Sequence, residues 1–277
     1  MRLMITAHIS RITPTLIRSL WIYRGFILGS VKREFQSRYM GSLLGAAWPV
    51  LSPLAMMAVY LTVFSHLMKA KLPGLTDTMA YGIFLCTGIF TWGYFIEVLT
   101  RCINIFIENG NLIKKSPFPK ASLPTIVLVS GTLNFIIVFG LFLLFLVATS
   151  RFPGTAILAM IPLLLLQQIL AIGLGILLGT LNVFFRDVGQ FMGIATQFWF
   201  WLTPIVYPPS VLPPWARDLL LTWNPMARII SGYQDIILTN TVPTPTDYLP
   251  HLMMSLAILL GGYWVFKRLS GDMVDEL

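Results

Sequence analysis

Residues 155–181 read TAILAMIPLLLLQQILAIGLGILLGTL and carry no charged side chain. A helix needs about 20 consecutive apolar residues to cross the hydrocarbon core of a bilayer. The stretch meets that length. It therefore predicts a transmembrane helix and places the chain among integral membrane proteins.

Five more apolar segments lie on either side of this one, at about Ser42–Leu67, Met79–Phe106, Ser122–Thr149, Phe191–Val206 and Tyr248–Phe266. The segment from Phe191 is shorter than the others and runs into Pro204. Because proline interrupts a helix, we expect its end to break there. The pattern predicts an all-α integral membrane protein with six transmembrane helices.

The composition agrees with a membrane class. The chain of 277 residues is 56% hydrophobic and 11% charged, with a mean hydropathy of +0.79, whereas a soluble domain carries about a quarter charged residues. No stretch reads as a soluble domain. We expect a single transmembrane domain over residues 1–277, divided into a cytoplasmic segment (1–41), a six-span region (42–267) and a cytoplasmic tail (268–277).

The net charge of +8 follows membrane topology rather than nucleic-acid binding. Of the 19 Lys and Arg residues, thirteen lie in residues 1–41, 108–121, 182–190 and 267–277, and five lie in the alternate connections. Cytoplasmic connections carry the excess of Lys and Arg. Both termini are therefore predicted to face the cytoplasm, and the absence of interleaved aromatics excludes a base-stacking surface.

Residues 1–41 combine basic side chains with apolar residues at near-helical spacing, from Leu16 to Phe35. This pattern predicts an amphipathic helix lying on the membrane surface, with its bases toward anionic headgroups. A helix packed on a partner protein is the alternative, and the two are compatible.

The outer segment 207–247 is rich in proline and aromatic residues and is too interrupted to span. We expect two short re-entrant helices that form an outer gate, because irregular backbone at membrane depth must be buried in protein or line a cavity. A plain interfacial loop is the alternative. The gate candidates are Pro208, Pro209, Pro213, Pro214, Trp215 and Trp223.

Motifs of catalysis and cofactor binding are missing from the sequence. It contains no GxxxxGK[ST] loop, no HExxH, no CxxC and no GxSxG. We expect no enzyme activity, no cofactor and no metal in this chain. Cys86 and Cys102 are expected to be ordinary buried residues rather than a disulfide.

Two short patterns concern helix packing. Glu97 and Arg101 are spaced i,i+4 within an apolar segment, which predicts an ion pair within one helix. The pair could lie near the cytoplasmic interface of the membrane. Alternatively, it could line a polar conduit or fix the packing of two helices. Gly175 and Gly179 form a GxxxG pair, which permits close helix approach.

Aromatic side chains are the positive functional signal. Four consecutive rings occupy the fifth segment, so some of them must point toward the protein interior. Aromatic faces suit the C–H faces of sugar rings, although any single ring could belong to an interfacial belt. The channel-lining candidates are Trp48, Tyr60, Phe64, Phe198, Trp199, Phe200 and Trp201.

Several pieces, in this order along the chain, resemble type-2 ABC exporter permeases for O-antigen, capsule and teichoic-acid chains. They are VKREFQSRY (31–39) with GSLLG (41–45) and Trp48-Pro49, NLIKK (111–115) with Pro117-Phe118-Pro119, NVFFRDV (182–188), TPIVY (203–207) and Asn224-Pro225. The likeness covers nearly the whole chain.

The resemblance implies a bacterial inner-membrane homodimer joined to two copies of a separate ATPase subunit, which binds ATP and Mg²⁺. The substrate would be an undecaprenyl-pyrophosphate-linked polysaccharide. It further implies that the first and fifth spans line the channel and that the loop after the second span docks on the ATPase. The docking residues would be Asn111, Leu112, Ile113, Lys114, Lys115, Pro117 and Phe118. Independently of the resemblance, the basic side chains near the cytoplasmic entrance are candidates to bind the lipid pyrophosphate: Arg24, Lys32, Arg33 and Arg38.

Other classes of function have weaker support in the sequence. An ABC-2 permease for a small lipophilic drug or lipid would share the topology and is the main alternative. A proton-coupled carrier would need a carboxylate at mid-membrane, and a membrane transferase would need a polar cluster at an interface; neither pattern is present.

Overall fold

The computed structural model describes residues 18, 21–38, 45–68, 72–74, 77, 79–115 and 119–277. The regular elements in these ranges are all helical. Those used below are α1 (Arg24–Arg38), α2 (Trp48–Leu61), α3 (Ala80–Glu108), α4 (Gly110–Lys115), α5 (Ser122–Ala148), α6 (Met160–Phe184), α7 (Asp187–Trp201), α8 (Pro214–Trp223), α9 (Pro225–Thr239), α10 (Pro245–Leu269) and α11 (Met273–Glu276).

Local sequence explains several helix ends. Pro214, Pro225 and Pro245 each occupy the first position of a helix, where the missing N–H costs nothing and the fixed φ is already helical. Asn240 ends α9 in the left-handed region, with φ 54°, as C-terminal caps often do.

Five helical segments in the described ranges are long and apolar enough to cross a membrane: Trp48–Ser65, Ala80–Glu108, Ser122–Ala148, Gly154–Phe184 and Pro245–Leu269. The first includes part of a π-helical turn, Thr62–Leu67, that continues α2. The predicted fifth span appears as α7, which has 15 residues. At 1.5 Å per residue that is about 22 Å, shorter than the ~30 Å hydrocarbon core.

Helix α3 is the centre of the bundle. In its most apolar window 78% of the residues are buried, against 11% for α2 and 22% for α10. It packs on α6, α5, α9, α7 and α2, while α10 packs mainly on α6. The helices that surround α3 expose apolar side chains, as expected where the neighbour is lipid or another subunit.

The helices alternate in direction, which separates two ends of the bundle. The α4 end holds α4, the α6–α7 turn and α11, where the Phe106 and Phe266 rings stack 5.5 Å apart. The α8 end holds α8 and the connection after α5, where Arg151 forms an ion pair with Asp77.

Close contact between α3 and α6 depends on two glycines. A Cβ added to Gly175 would lie 2.5 Å from the Cβ of Cys102, and one added to Gly179 would overlap the Cys102 carbonyl. The structure thus confirms the close approach predicted from the GxxxG spacing. Cys86 and Cys102 are both buried and free, as predicted.

Helix α1 lies against α5. Its Ile27 and Val31 side chains are buried on Ile126, while the Arg24, Lys32 and Arg33 side chains are exposed. The predicted N-terminal helix is therefore present over Arg24–Arg38, with one face on the bundle.

Candidate functional site

The four rings of α7 divide between the core and the surface. Trp199 packs on Trp92 and Phe95 of α3, with ring centroids 5.9 and 5.2 Å away. Phe200 also contacts Trp92, at 5.9 Å. The Phe198 and Trp201 side chains are 67% and 64% exposed. Of the four predicted channel residues on α7, two are therefore free to meet a substrate or another subunit.

Asn224 fixes the end of α7 to the start of α9. Its Oδ1 accepts hydrogen bonds from the Trp199 indole N–H at 2.9 Å and from the backbone N–H groups of Met226 and Ala227 at 3.1 and 3.3 Å. Its Nδ2 donates to the Leu202 carbonyl at 3.1 Å and to the Thr203 Oγ1 at 3.0 Å. The sequence Asn224-Pro225 is recognisable as the start of a helix with an N-cap. The hydrogen bond between Asn224 and Trp199 could not be predicted from the sequence.

Two cavities flank α3. One of about 390 Å³ lies between α3 and α7 and is lined by Trp92, Ile96, Thr196, Gln197, Phe200 and Trp201. The other, of about 290 Å³, lies between α2, α3 and α5, and its lining includes Tyr60, Tyr94, Glu97 and Asn134. We call the surface formed by these two cavities the conduit face.

The predicted channel residues of the first span take separate places. Tyr60 lines the cavity on the α2 side, and Trp48 is 44% exposed at the other end of α2. Phe64 instead packs 5.5 Å from the ring of Tyr81, beside the small apolar cluster at the α8 end. Phe64 lies in the π-helical turn after α2 and does not line either of the two cavities.

A polar cluster lies at one edge of the conduit face. The Arg101 guanidinium contacts Glu34 of α1 at 2.7 Å and Glu97 at 3.4 Å. The predicted Glu97–Arg101 pair is confirmed, and Glu34 joins it. Sequence reasoning missed Glu34, because nothing in the spacing of the chain places α1 beside the half of α3 that leads into α4.

The predicted ATPase-coupling residues lie partly on α4. Asn111 and Lys114 are exposed, Leu112 is half-buried and Ile113 is buried in a cluster with Phe106 and Phe266. Lys115 ends the helix, and Pro117 and Phe118 lie outside the described residues. Helix α4 therefore presents one polar face outward and one apolar face to the bundle.

The tail of the chain supports α4. Met273 of α11 is fully buried in the same cluster as Ile113, and a Cβ added to Gly110 would lie 3.5 Å from the Leu277 Cβ. The Lys120 ammonium donates to the Ser270 carbonyl, and burial lowers the pKa of Lys120. These contacts support α4 on the face that is turned toward the bundle.

We expect a Met273→Lys variant to loosen α4, because a charge placed in this apolar cluster costs about 2 kcal/mol or more. Limited proteolysis should then cut between α4 and α5 faster than in the wild type. The exposed Asp275→Ala substitution is the matched control in α11, and equal cleavage of the two variants would contradict the role given to Met273.

The predicted gate segment contains two helices of opposite character. Helix α8 buries no residue, and its Trp215 and Trp223 are 73% and 71% exposed. Helix α9 is packed into the core through Ile229, Ile230 and other side chains on α3. Each predicted gate proline lies in a short helix or at its start: Pro208 precedes and Pro209 begins a 3₁₀ turn, Pro213 precedes α8 and Pro214 begins it.

Ion pairs and hydrogen bonds join this segment to α10. Arg228 of α9 contacts Asp247 at 2.8 Å and lies 5.2 Å from the Tyr248 ring centroid. The His251 Nε2 lies 3.1 Å from the Leu221 carbonyl of α8. Both helices of the segment therefore have polar contacts with the last long helix.

A bundle of helices, five of them in the described ranges long and apolar enough to cross a bilayer, defines a multi-pass membrane protein. The sequence signature of the ABC-2 type transporter family matches residues 27–238, and the chain belongs to that family.

Three relatives are similar over most of the chain. The O-antigen export system permease protein RfbA of Myxococcus xanthus is 29% identical over 95% of this chain and 99% of its own length. A Klebsiella pneumoniae protein of the same name is 30% identical over 86% and 89%. The polysialic acid transport protein KpsM of Escherichia coli is 21% identical over 88% and 93%.

Proposed function

We propose that this chain is the membrane permease of an ABC transporter that exports polysaccharide across the inner membrane. The observation that carries this proposal is the similarity to O-antigen export permeases, which extends over 95% of the chain. The aromatic conduit face is consistent with it, because flat rings contact sugar C–H faces without deep, specific binding wells.

The transport unit is proposed to be a homodimer bound to two ATPase subunits, which hydrolyse ATP with Mg²⁺. Support for a second copy comes from α2 and α7, which expose the large apolar side chains of Trp48, Phe198 and Trp201 at the surface of the chain. The polar face of α4 would contact the ATPase. Residues 202–206, which follow α7, would complete a sixth span with it.

The topology proposed has both termini in the cytoplasm, so the α4 end is the cytoplasmic end. Helix α1 would lie on the membrane surface, supported by the exposed apolar side chains of Leu28 within it and of Trp21 and Ile22 just before it. The packing of α9 within the protein supports a re-entrant pair. Irregular backbone at membrane depth is tolerated only where it is buried in protein or lines a cavity.

The substrate is proposed to be undecaprenyl-pyrophosphate-linked glycan, received at the cytoplasmic end by basic residues of α1; the side chain of Arg38 lies outside the part that the structure describes. Neutralising Arg33 and Arg38 together should weaken binding of the lipid-linked substrate about thirtyfold, since each charge near an anionic group contributes roughly 1 kcal/mol. Pull-down of labelled lipid-linked glycan by the purified complex measures this. Unchanged binding with intact ATPase assembly would refute the assignment.

The exposed rings of α7 are predicted to affect transport more than stability. Replacing Phe198 and Trp201 by alanine should lower export severalfold while changing the free energy of unfolding by only about 1 kcal/mol, because both side chains are largely exposed and the edge contact of Trp201 with the Phe200 ring contributes little. Trp199→Ala is the matched control: it should destabilise by about 3 kcal/mol because the ring is packed and hydrogen-bonded. Equal thermal stability of Trp199→Ala and Trp201→Ala would contradict this division.

A second candidate is a permease for a small lipophilic molecule. The cavity of about 390 Å³ beside α7 favours it, since drug-sized ligands occupy sites of about 300–1,000 Å³.

One experiment separates the two candidates. The permease and its ATPase partner are reconstituted in liposomes, and ATP-driven transfer of lipid-linked glycan across the bilayer is followed with an externally added glycosidase. ATP-dependent transfer supports polysaccharide export. Transfer of small lipophilic dyes without transfer of glycan would favour the second candidate.

A further inference from the structure

We propose that Arg101 is a positioning residue that holds α1 on α3 and passes the movement of α1 to the conduit face. It does so by exchanging between two carboxylates, Glu34 and Glu97. This inference rests on the proposed transport function, in which work done at the α4 end must reach the conduit face.

The cluster consists of two matched half-sites on either side of Arg101. In the first, Glu34 accepts an ion-pair contact from Arg101 Nη2 at 2.7 Å and a hydrogen bond from Ser130 Oγ at 2.8 Å. In the second, Glu97 faces Arg101 Nη1 at 3.4 Å and accepts from Asn134 Nδ2 at 2.7 Å. Each carboxylate therefore has its own polar partner on α5, and the guanidinium lies between them.

Helical spacing keeps the two half-sites in register. Ser130 and Asn134 are four residues apart on α5, as Glu97 and Arg101 are on α3, so the same pitch separates the sites on both helices. Arg101 Nη1 also lies 3.4 Å from Ser130 Oγ. A guanidinium has five donors in a fixed plane and can contact both sites at once with two different nitrogens, whereas an ammonium has three donors on a single nitrogen.

The three charged side chains of the cluster are partly buried, which strengthens the ion pairs between them. The side chains of Arg101, Glu34 and Glu97 are 25%, 24% and 22% exposed. Ion pairs at partly buried positions are screened less than those in water. The present geometry favours Glu34, whose contact with Arg101 is shorter by 0.7 Å than that of Glu97.

Movement of α1 would change the second half-site. The apolar contacts of α1 with α5, made by Ile27 and Val31 on Ile126 with Phe26, Phe35 and Val129 around them, are not directional, so they allow sliding more easily than an ion pair does. When Glu34 withdraws, Arg101 pairs with Glu97 alone. Glu97 and Asn134 line the cavity that also contains Tyr60 and Tyr94, so the exchange changes the charge at the conduit wall.

The exchange also links two helices through which movement of the ATPase would reach α3, namely α1 and α4. Helix α3 leads directly into α4, with only Asn109 between them, and Arg101 ties α1 to the same half of α3. Movements of α1 and α4 therefore converge on one helix, which is the most buried in the bundle.

Charge reversal tests the pairing. In the reconstituted complex, Glu34→Arg and Arg101→Glu are each expected to lower the amount of glycan transferred per ATP hydrolysed by about tenfold, the effect of losing one strong ion pair. The double variant restores opposite charges across α1 and α3, because the guanidinium introduced on α1 faces both Glu97 and the carboxylate introduced on α3. We expect it to recover transfer per ATP to within about threefold of the wild type.

The amount of glycan transferred per ATP hydrolysed distinguishes a variant that has lost the positioning of α1 from a variant that is misfolded. A variant that merely misfolds loses ATPase assembly, transfer and hydrolysis together, whereas loss of positioning leaves an assembled complex that hydrolyses ATP unproductively. Arg101→Lys should give an intermediate ratio, because lysine keeps the charge but contacts fewer partners. Gln36→Ala, at a position of α1 outside the cluster, is the control and should leave the ratio unchanged.

Two results would overturn the inference while the wild-type complex still exports glycan. One is a wild-type transfer ratio in both single variants. The other is a double variant that inserts and assembles but transfers no more per ATP than the worse single variant. If the wild-type complex itself transfers no glycan, the proposed function fails instead.

Discussion

A Gly179→Ala variant is expected to unfold in detergent at a clearly lower temperature than the wild type. The added Cβ would overlap the backbone carbonyl of Cys102, and a backbone atom in the middle of a packed helix cannot move aside. Overpacking of this kind costs about 1–3 kcal/mol and sometimes more. That cost exceeds the roughly 1 kcal/mol that alanine gains over glycine in helix propensity.

The matched control is Gly140→Ala on α5, where a new Cβ meets nothing within 4 Å. This variant should be as stable as the wild type or slightly more so, since only the propensity term remains. Thermal unfolding followed by size-exclusion chromatography measures both variants. Equal stability of the two would contradict the close α3–α6 packing.

Asn224→Ala is expected to disrupt the junction between α7 and α9. The substitution removes five hydrogen bonds from a side chain that is 9% exposed. It also leaves the Trp199 indole N–H without its acceptor. Loss of an N-cap costs about 1 kcal/mol, and each buried polar group left unsatisfied costs about 1–3 kcal/mol more. We therefore expect export to fall at least tenfold.

Asn224→Asp separates the two halves of this junction. Aspartate retains the acceptors for the α9 backbone and the Trp199 indole but cannot donate to Leu202 and Thr203. Its unfolding free energy and export should lie between those of the wild type and Asn224→Ala. An alanine variant that matches the wild type in both measurements would show that the junction contributes to neither stability nor export.

Local sequence patterns predicted much of the helical architecture. Uniform apolar runs predicted five helices that the structure shows to be long enough to span, and the Gly175–Gly179 spacing predicted the contact of α6 with a neighbour. Both patterns act through properties of one helix, namely its length and its smallest side chains. The proline spacing likewise predicted two helices in segment 207–247.

Contacts between side chains on different helices could not be predicted from local sequence patterns. The run of rings at 198–201 indicated that some must face inward, but only the position of α3 shows that Trp199 does so. Phe64 lies in a π-helical turn and packs on Tyr81, and a π-helical turn has no clear sequence signal. Glu34 joined Arg101 through the packing of α1 on α5, which no periodicity in either helix specifies.

The most direct test of the central claim is surface polysaccharide in cells that lack this gene, with lipid-linked glycan in the cytoplasmic leaflet measured in parallel. Polysaccharide export predicts loss of the surface glycan together with accumulation of the lipid-linked chain inside, and both should be reversed by the gene in trans. Normal surface glycan without internal accumulation, in a strain that has no second exporter, would contradict the proposal.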